Sequence, residues 1–174
     1  FKKLSKGTVE LVCLEKDELA DVLAYEPKSR REQRAKDIIT FLSHTGMRVS
    51  DLRSFSKDWV VGDFLDFYPQ KTKTIRVQVP IAKQVREILE RTNYKPYCYS
   101  ERQIGKEIEN LCSKIESLKK KIGYNGKLIE KYKVLTTHSI GRKTFINICI
   151  QSAIPLPTVM GYSGHTTMDV LNVY

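Results

Sequence analysis

The sequence predicts a mainly α-helical domain with one small antiparallel β-sheet. Apolar residues recur at helical spacing through most of the chain, whereas strict alternation of apolar and polar residues is confined to positions 75–81. With 41% hydrophobic and 29% charged residues, the chain can bury a continuous core beneath a well solvated surface. Its length of 174 residues favours a single domain.

Three helices are predicted before the alternating region. The first lies in an acidic segment that ends before Pro27, and the second runs into Gly46, a residue typical of helix C-termini. A short third helix begins near Ser50. The apolar stripes of the first two helices comprise Leu14, Leu19, Val22 and Leu23, and Ala35, Ile38, Ile39 and Leu42.

A β-hairpin is predicted next. Its first strand is the aromatic-rich run from Phe64 to Tyr68. The second strand is the alternating segment, with its apolar positions at Ile75, Val77, Val79 and Ile81. Residues 69–74 would form the loop that joins the two strands.

Helical periodicity returns after the hairpin. One helix is predicted around residues 81–89, and a long one over 104–118, preceded by the capping signal of Ser100 and Gln103. Residues 119–121, all lysine, would close that long helix, because cations complement the partial negative charge of a helix C-terminus. Residues 123–126 then predict a turn.

The C-terminal part predicts three further helical segments. Thr137 would cap the first, whose apolar residues are Ile140, Phe145, Ile148 and Cys149. Two prolines, at positions 155 and 157, interrupt it. A short helical piece over 158–162 and a last helix over 168–174 follow.

Charge and cysteine content narrow the class of function. Thirty Lys and Arg against 20 Asp and Glu give a formal net charge of +10, which favours a polyanionic partner, most commonly nucleic acid. The four cysteines are widely spaced and predict neither a disulfide framework nor a zinc site, so the expected location is the reducing cytoplasm. The sequence has no apolar run of membrane-spanning length and no signal-peptide pattern.

The sequence lacks the motifs of several reaction classes. The sequence contains no Walker A loop, no G-x-G-x-x-G fingerprint and no H-E-x-x-H zinc motif. Acidic residues are sparse around the three histidines, which argues against a metal-dependent nuclease. We therefore expect neither a metal nor a cofactor.

Three short segments hold the residues suited to chemistry. They are Thr45–Leu52, Thr137–Phe145, and Gly164 and His165 with Tyr174 nine residues after the histidine. Each resembles a box of the tyrosine recombinase, or phage integrase, family, and the boxes occur in the family's order. The resemblance extends from about residue 40 to residue 174 and implies the fold of a tyrosine recombinase catalytic domain.

The resemblance implies a site-specific recombinase or integrase of a mobile element that cleaves and rejoins DNA without metal. A tyrosine attacks a phosphodiester, forms a 3′-phosphotyrosyl bond and frees a 5′-hydroxyl, and a partner strand's hydroxyl later reverses the step. Arginine forks match the charged non-bridging oxygens bidentately, which an ammonium group cannot do. A lysine gives the leaving oxygen its proton.

Two boxes resemble the family's arginine motifs. Arg48 matches the first clamp arginine, and Asp51, three residues later, matches the family's supporting acid. Arg142 matches the second clamp arginine. His138 stands four residues before Arg142, whereas the family usually has three, with Ser139 at the usual position. Because i+3 and i+4 share a helix face, we expect His138 to serve as a catalytic residue.

The remaining catalytic candidates lie in the third box and in the hairpin. His165 matches the family's second histidine position and is expected to bond a non-bridging oxygen, and Tyr174 matches the nucleophile. Lys71 and Lys73 each precede a threonine, as the hairpin lysine of the family does. Lys71 is preferred as the catalytic lysine and Lys73 is the alternative, although either could instead be a loop lysine that contacts a DNA phosphate.

Two other functions fit the same boxes. One is a catalytically silent DNA-binding module of the same fold, against which the retained arginines, histidines and tyrosine argue. The other is a relaxing enzyme similar to type IB topoisomerases, which shares the chemistry but works alone.

The expected partners follow from the resemblance. They are double-stranded DNA and, in the full-length protein, other recombinase protomers in a tetrameric synapse. Residues 1–174 would be the catalytic domain alone, without the DNA-gripping N-terminal domain and the C-terminal tail common in the family. We therefore expect the isolated chain to be a monomer that binds DNA weakly and has a mobile C-terminal segment.

Overall fold

The computed structural model describes residues 12–96 and 99–167, which form seven α-helices and five β-strands. The first six elements are α1 (Lys16–Ala24), α2 (Arg30–Thr45), α3 (Val49–Arg53), β1 (Val60–Val61), β2 (Phe64–Phe67) and β3 (Val77–Pro80). The next six are α4 (Lys83–Arg91), α5 (Glu101–Cys112), β4 (Lys121–Tyr124), β5 (Lys127–Glu130), α6 (Thr144–Gln151) and α7 (Leu156–Ser163). The predicted class, mainly helical with a small antiparallel sheet, is confirmed.

Helix α2 is the centre of the core. It begins at Ser29, whose hydroxyl accepts the Glu32 N–H, and it ends at Gly46, which has the left-handed φ of +62° that glycine adopts without strain. Its buried stripe packs against α4, α5, α6 and the turn that precedes α6. The helix that the apolar stripe and Gly46 predicted is therefore confirmed.

The predicted hairpin is part of a three-stranded antiparallel sheet in the order β1-β2-β3. Leu65 pairs with Val79 and Phe67 with Val77, and all four side chains face the core. The short β1 adds an edge strand that the sequence did not predict. The loop between β2 and β3 carries both candidate lysines.

The long helix predicted over 104–118 is wrong at its C-terminal end. Helix α5 ends at Cys112, and Leu118 lies in a separate 3₁₀ turn over Glu116–Lys119. Apolar residues at spacings of three and four fit both kinds of helix, so the pattern could not separate them. Lysines 119–121 do not close the predicted long helix either, because Lys119 ends the 3₁₀ turn and Lys121 begins β4.

A second antiparallel sheet, the β4-β5 hairpin, was missed. The predicted turn is present at Asn125 and Gly126, both with positive φ, and it closes this hairpin. Lys120 and Lys131 flank the hairpin and pair with the fully buried Glu18 of α1 at 2.7 and 2.6 Å. These tertiary ion pairs fix the base of the hairpin. The local sequence pattern does not predict them.

The start of the helix predicted after Thr137 is also wrong. Thr136, not Thr137, accepts the Ser139 N–H, and residues Ser139–Lys143 form a wide π-type turn before α6 begins. Thr137 instead donates its hydroxyl proton to Glu101 at 3.0 Å. The interruption by prolines is confirmed, since α7 begins directly after Pro155. The last predicted helix, over 168–174, lies outside the described residues.

Two glycines allow α2 to approach the wide turn closely. A Cβ on Gly46 would lie 2.5 Å from Cδ1 of Phe145, and a Cβ on Gly141 would lie 3.1 Å from Cβ of Leu42. Gly141 also has φ −90° and ψ −105°, outside the helical region. Side chains at either position would push the end of α2 away from the turn.

We expect Gly46→Ala to lower the free energy of unfolding by about 2–5 kcal/mol, because it combines left-handed strain with overpacking. Gly126→Ala is the matched control, since Gly126 has a φ of +74° and open space around it. It should cost only the strain, about 1–2 kcal/mol. Urea unfolding of both variants measures the difference, and equal losses would show that the Phe145 contact does not matter.

Candidate active site

Arg48 is placed by the tight exit from α2. Gly46 reverses the chain, Met47 is buried, and Arg48 then caps α3, where its carbonyl accepts the N–H groups of Asp51 and Leu52. The side chain is half-buried, and its Nη1 atom is buried without a hydrogen-bond partner among the described residues. Burial of a guanidinium nitrogen without a hydrogen-bond partner costs free energy. This atom is therefore available to bind an anion.

Arg142 comes from the wide turn and is 4% exposed. Its Nη1 donates to the carbonyl oxygen of Ser163, at the end of α7, at 2.5 Å. The turn also accounts for the unusual spacing of the second box. A π-type turn takes up one residue more than an α-helical turn, which accommodates the four-residue interval between His138 and Arg142.

The two arginines and His138 line one cleft of about 220 Å³. The other lining residues are Met47, Val49, Ser50, Glu101 and Thr137. Partial loss of hydration, followed by the charges of Lys143, Arg142 and Arg48, lowers the pKa of His138 below its usual value. Its side chain still reaches solvent, so it lies at the rim of the cleft.

His165 follows α7 and lies within reach of the same charges. Gly164 ends the helix with a φ of +67°, and the half-buried imidazole places Nδ1 2.7 Å from the hydroxyl of Ser163. Burial, followed by the positive charges of Arg142 and Arg48, lowers the pKa of His165 from 6.5 to about 4. The ring is therefore neutral at pH 7.

Asp51 holds the lysine loop. The carboxylate is fully buried, and Oδ1 accepts the backbone N–H of Gln70 at 2.9 Å. The side-chain amide of Gln70 also donates to the Ser54 hydroxyl at 2.6 Å. Asp51 thus fixes the residue directly before Lys71, and its supporting role in the site stays a prediction.

The same loop packs against the end of α7. A Cβ on Gly164 would lie 2.9 Å from Cγ2 of Val77, 3.9 Å from Cγ2 of Ile75 and 4.0 Å from Cγ of Pro69. The loop is therefore held next to the residue that precedes His165. Lys71 and Lys73 are both exposed on it.

The structure brings together residues from all three boxes. Arg48, His138 and Arg142 share the cleft, His165 lies in the field of both arginines, and Asp51 fixes the lysine loop. Tyr174 lies outside the described residues, so its role stays a prediction.

Sequence reasoning missed three residues that support this arrangement. Gln70 links the lysine loop to Asp51, Glu101 binds Thr137 in the cleft, and Ser163 binds both Arg142 and His165. Glu101 is the first residue of a helix whose capping signal was recognised, but nothing local connects it to residue 137. Ser163 lies two residues before His165, and this proximity was the one sequence signal that could have indicated a contact between them.

A wider cleft of about 800 Å³ lies between the N-terminus of α2 and α5. Its charges are largely paired, since Arg34 bonds Glu107 and Lys114 bonds Glu32.

Among residues 12–96 and 99–167, no group of three His, Cys, Asp or Glu side chains is placed to hold a metal ion. In the same ranges no helix has the length and apolar character needed to cross a membrane.

A helical domain that gathers two arginines and two histidines from three separate segments defines a class of protein, the catalytic domains of tyrosine recombinases. The model of the phage integrase family matches residues 13–174, so the chain belongs to that family. No curated protein matches the chain.

Solved structures share the fold. The Tn1549 transposon integrase in complex with circular intermediate DNA is 15% identical, with a TM-score of 0.68 over 98% of this chain and 63% of its own. A lambda integrase dimer bound to a core site is 15% identical, with a TM-score of 0.68 over 98% and 61%. XerA recombinase is 16% identical, with a TM-score of 0.66 over 94% and 59%. The present chain thus spans about three fifths of these structures.

We expect His165 to titrate near pH 4 in the free protein. Arg48→Gln removes one of the positive charges that disfavour the imidazolium, so the pKa of His165 should rise in that variant. Arg86→Gln is the control, because Arg86 of α4 pairs with the exposed Asp63 between β1 and β2. NMR titration of the imidazole measures all three proteins, and a His165 pKa that Arg48→Gln leaves unchanged would contradict the electrostatic coupling.

Proposed function

We propose that this chain is the catalytic domain of a site-specific tyrosine recombinase or integrase that cleaves and rejoins DNA for a mobile element. The observation that carries the proposal is the buried, unpartnered Nη1 of Arg48 in the same cleft as Arg142. Two guanidinium groups at one small cleft suit the non-bridging oxygens of a single phosphodiester. The DNA complexes of the Tn1549 and lambda integrases support DNA as the substrate.

In this proposal the arginines stabilise the transition state. Attack on phosphorus places extra negative charge on the non-bridging oxygens, and charge-assisted bonds from Arg48 and Arg142 strengthen as that charge develops. The bond from Arg142 to the Ser163 carbonyl restricts the guanidinium before substrate arrives. His138 and His165 supply the two imidazoles beside the clamp.

The nucleophile in the proposal is Tyr174 and the acid is Lys71. The tyrosine oxygen forms the bond to phosphorus while its proton passes to a neutral imidazole of the site. The bond to the 5′-oxygen breaks, and the lysine ammonium gives that oxygen its proton. Support for Lys71 comes from its neighbour Gln70, which Asp51 fixes three residues from Arg48. Lys73 remains the alternative on the same loop.

The proposed partners are double-stranded DNA and further recombinase protomers. A net charge of +10 favours a polyanion, and phosphate contacts of this kind release counterions. The assembly of protomers is proposed for the full-length protein and the monomeric state for the isolated domain.

The decisive experiment uses nicked suicide substrates with varied core sequences. The wild-type chain should form a DNA adduct that survives denaturation, with or without EDTA. Tyr174→Phe should form none while it keeps its DNA affinity, because only the attacking oxygen is lost. Arg48→Lys and Arg142→Lys should cleave about 100-fold to 1000-fold more slowly, because the bidentate geometry is lost.

Arg86→Lys is the matched control for these arginine variants and should cleave like the wild-type chain. Binding to DNA without any adduct would favour the silent DNA-binding module. Relaxation of supercoiled plasmid without a specific site would favour the topoisomerase-like enzyme.

The two loop lysines should be separable with a modified substrate. Replacement of the general acid by alanine should slow cleavage, and a 5′-phosphorothiolate substrate should restore it, because a thiolate leaves without a proton. We expect this rescue for Lys71→Ala and not for Lys73→Ala. Single-turnover cleavage measures it, and rescue of Lys73→Ala alone would move the role to Lys73.

A further inference from the structure

Ser163 connects two of the candidate catalytic residues. It ends α7 and is completely buried. Its carbonyl oxygen accepts a bond from Arg142 Nη1 at 2.5 Å. Its hydroxyl oxygen lies 2.7 Å from the carbonyl oxygen of Val159 and 2.7 Å from Nδ1 of His165. One residue therefore holds both side chains, through different groups.

The single proton of the Ser163 hydroxyl determines which nitrogen of the His165 imidazole is protonated. The Val159 carbonyl can only accept, so the single proton of the Ser163 hydroxyl is donated there. The hydroxyl oxygen must then accept from His165, which requires a proton on Nδ1. Neutral His165 is thus the Nδ1–H tautomer, and Nε2 carries an unshared electron pair.

This tautomer changes the expectation for His165, because a neutral Nε2 can accept a hydrogen bond but cannot donate one to a non-bridging oxygen. One carbon separates the two ring nitrogens and their bonding directions diverge, so the Ser163 hydroxyl that bonds Nδ1 does not also bond Nε2. In neutral form Nε2 accepts a hydrogen bond or a proton, and only the imidazolium donates from Nε2 to a phosphate oxygen. The groups whose charge acts on the ring are Arg142, Arg48 and His138.

We propose that Ser163 is a positioning residue of the active site, which orients Arg142 through its carbonyl and fixes His165 in the Nδ1–H tautomer through its hydroxyl. The inference rests on the proposed function for its catalytic consequence. The tautomer itself does not depend on that function. Ser163→Ala separates the two links, because alanine keeps the carbonyl that binds Arg142.

The tautomer is tested on the free protein at pH 7 by ¹⁵N NMR of the imidazoles. We expect the wild-type chain to show a protonated Nδ1 in His165 and Ser163→Ala to move the proton to Nε2 in most molecules. Ser163→Thr keeps a hydroxyl and should retain the wild-type tautomer. A protonated Nε2 in the wild-type chain, or an unchanged spectrum in Ser163→Ala, would overturn the proposal.

Ser43→Ala is the matched control. Ser43 is also a buried helical serine, with its hydroxyl 3.2 Å from the Thr40 carbonyl and 3.2 Å from Nδ1 of His44, outside the candidate site. The Ser43→Ala substitution, like Ser163→Ala, removes a hydroxyl group from a buried helical position. Ser43→Ala should leave the His165 signals unchanged.

The catalytic consequence is tested by single-turnover cleavage of the suicide substrates. Ser163→Ala should cleave about 100-fold more slowly with unchanged DNA affinity, because the imidazole is misaligned. Ser163→Thr should recover most of the rate, and Ser43→Ala should match the wild-type chain. Normal cleavage by Ser163→Ala would refute the positioning role. Absence of an adduct in every protein, with the tautomers as expected, would refute the proposed function instead.

Discussion

The candidate site depends on the close contact between the end of α2 and the wide turn at residues 139–143. A Cβ on Gly46 would lie 2.5 Å from the Phe145 ring at the start of α6, and a Cβ on Gly141 would lie 3.1 Å from Cβ of Leu42, so both contacts require a glycine. Arg48 follows Gly46 by two residues and Arg142 follows Gly141 directly. The packing of two small residues therefore brings two guanidinium groups, distant in sequence, to one cleft.

A second contact adds the remaining parts of the site. The end of α7 binds Arg142 through the Ser163 carbonyl and packs Gly164 against the lysine loop, which Asp51 holds from its other side. His165, the lysine loop and the arginines are thus linked through backbone atoms and buried groups. Such supports lose little conformational entropy when a ligand binds, which is the preorganisation that the proposed function requires.

The distribution of charge distinguishes the cleft from the rest of the surface. Elsewhere many cations have carboxylate partners, as in the pair of lysines at buried Glu18. In the cleft, Arg48 Nη1 is buried without a partner among the described residues, and the surrounding positive charge, added to burial, holds the pKa of His165 near 4. An anion that enters would give the unpaired nitrogen a partner and reduce the like-charge repulsion.

The sequence by itself determined the helices with clear apolar stripes, the β2-β3 hairpin and the three boxes, because periodicity, Gly46 and residue spacing are local signals. It also singled out Arg48 and Arg142, which the structure brings to one cleft, and Asp51, which binds the lysine loop. Only the tertiary structure decided the end of α5 at Cys112, the β4-β5 hairpin beside Glu18 and the π-type turn, because their determinants are contacts between distant segments. The three hydrogen-bond contacts of Ser163 were decided the same way, because nothing in the local sequence around this serine indicates its partners.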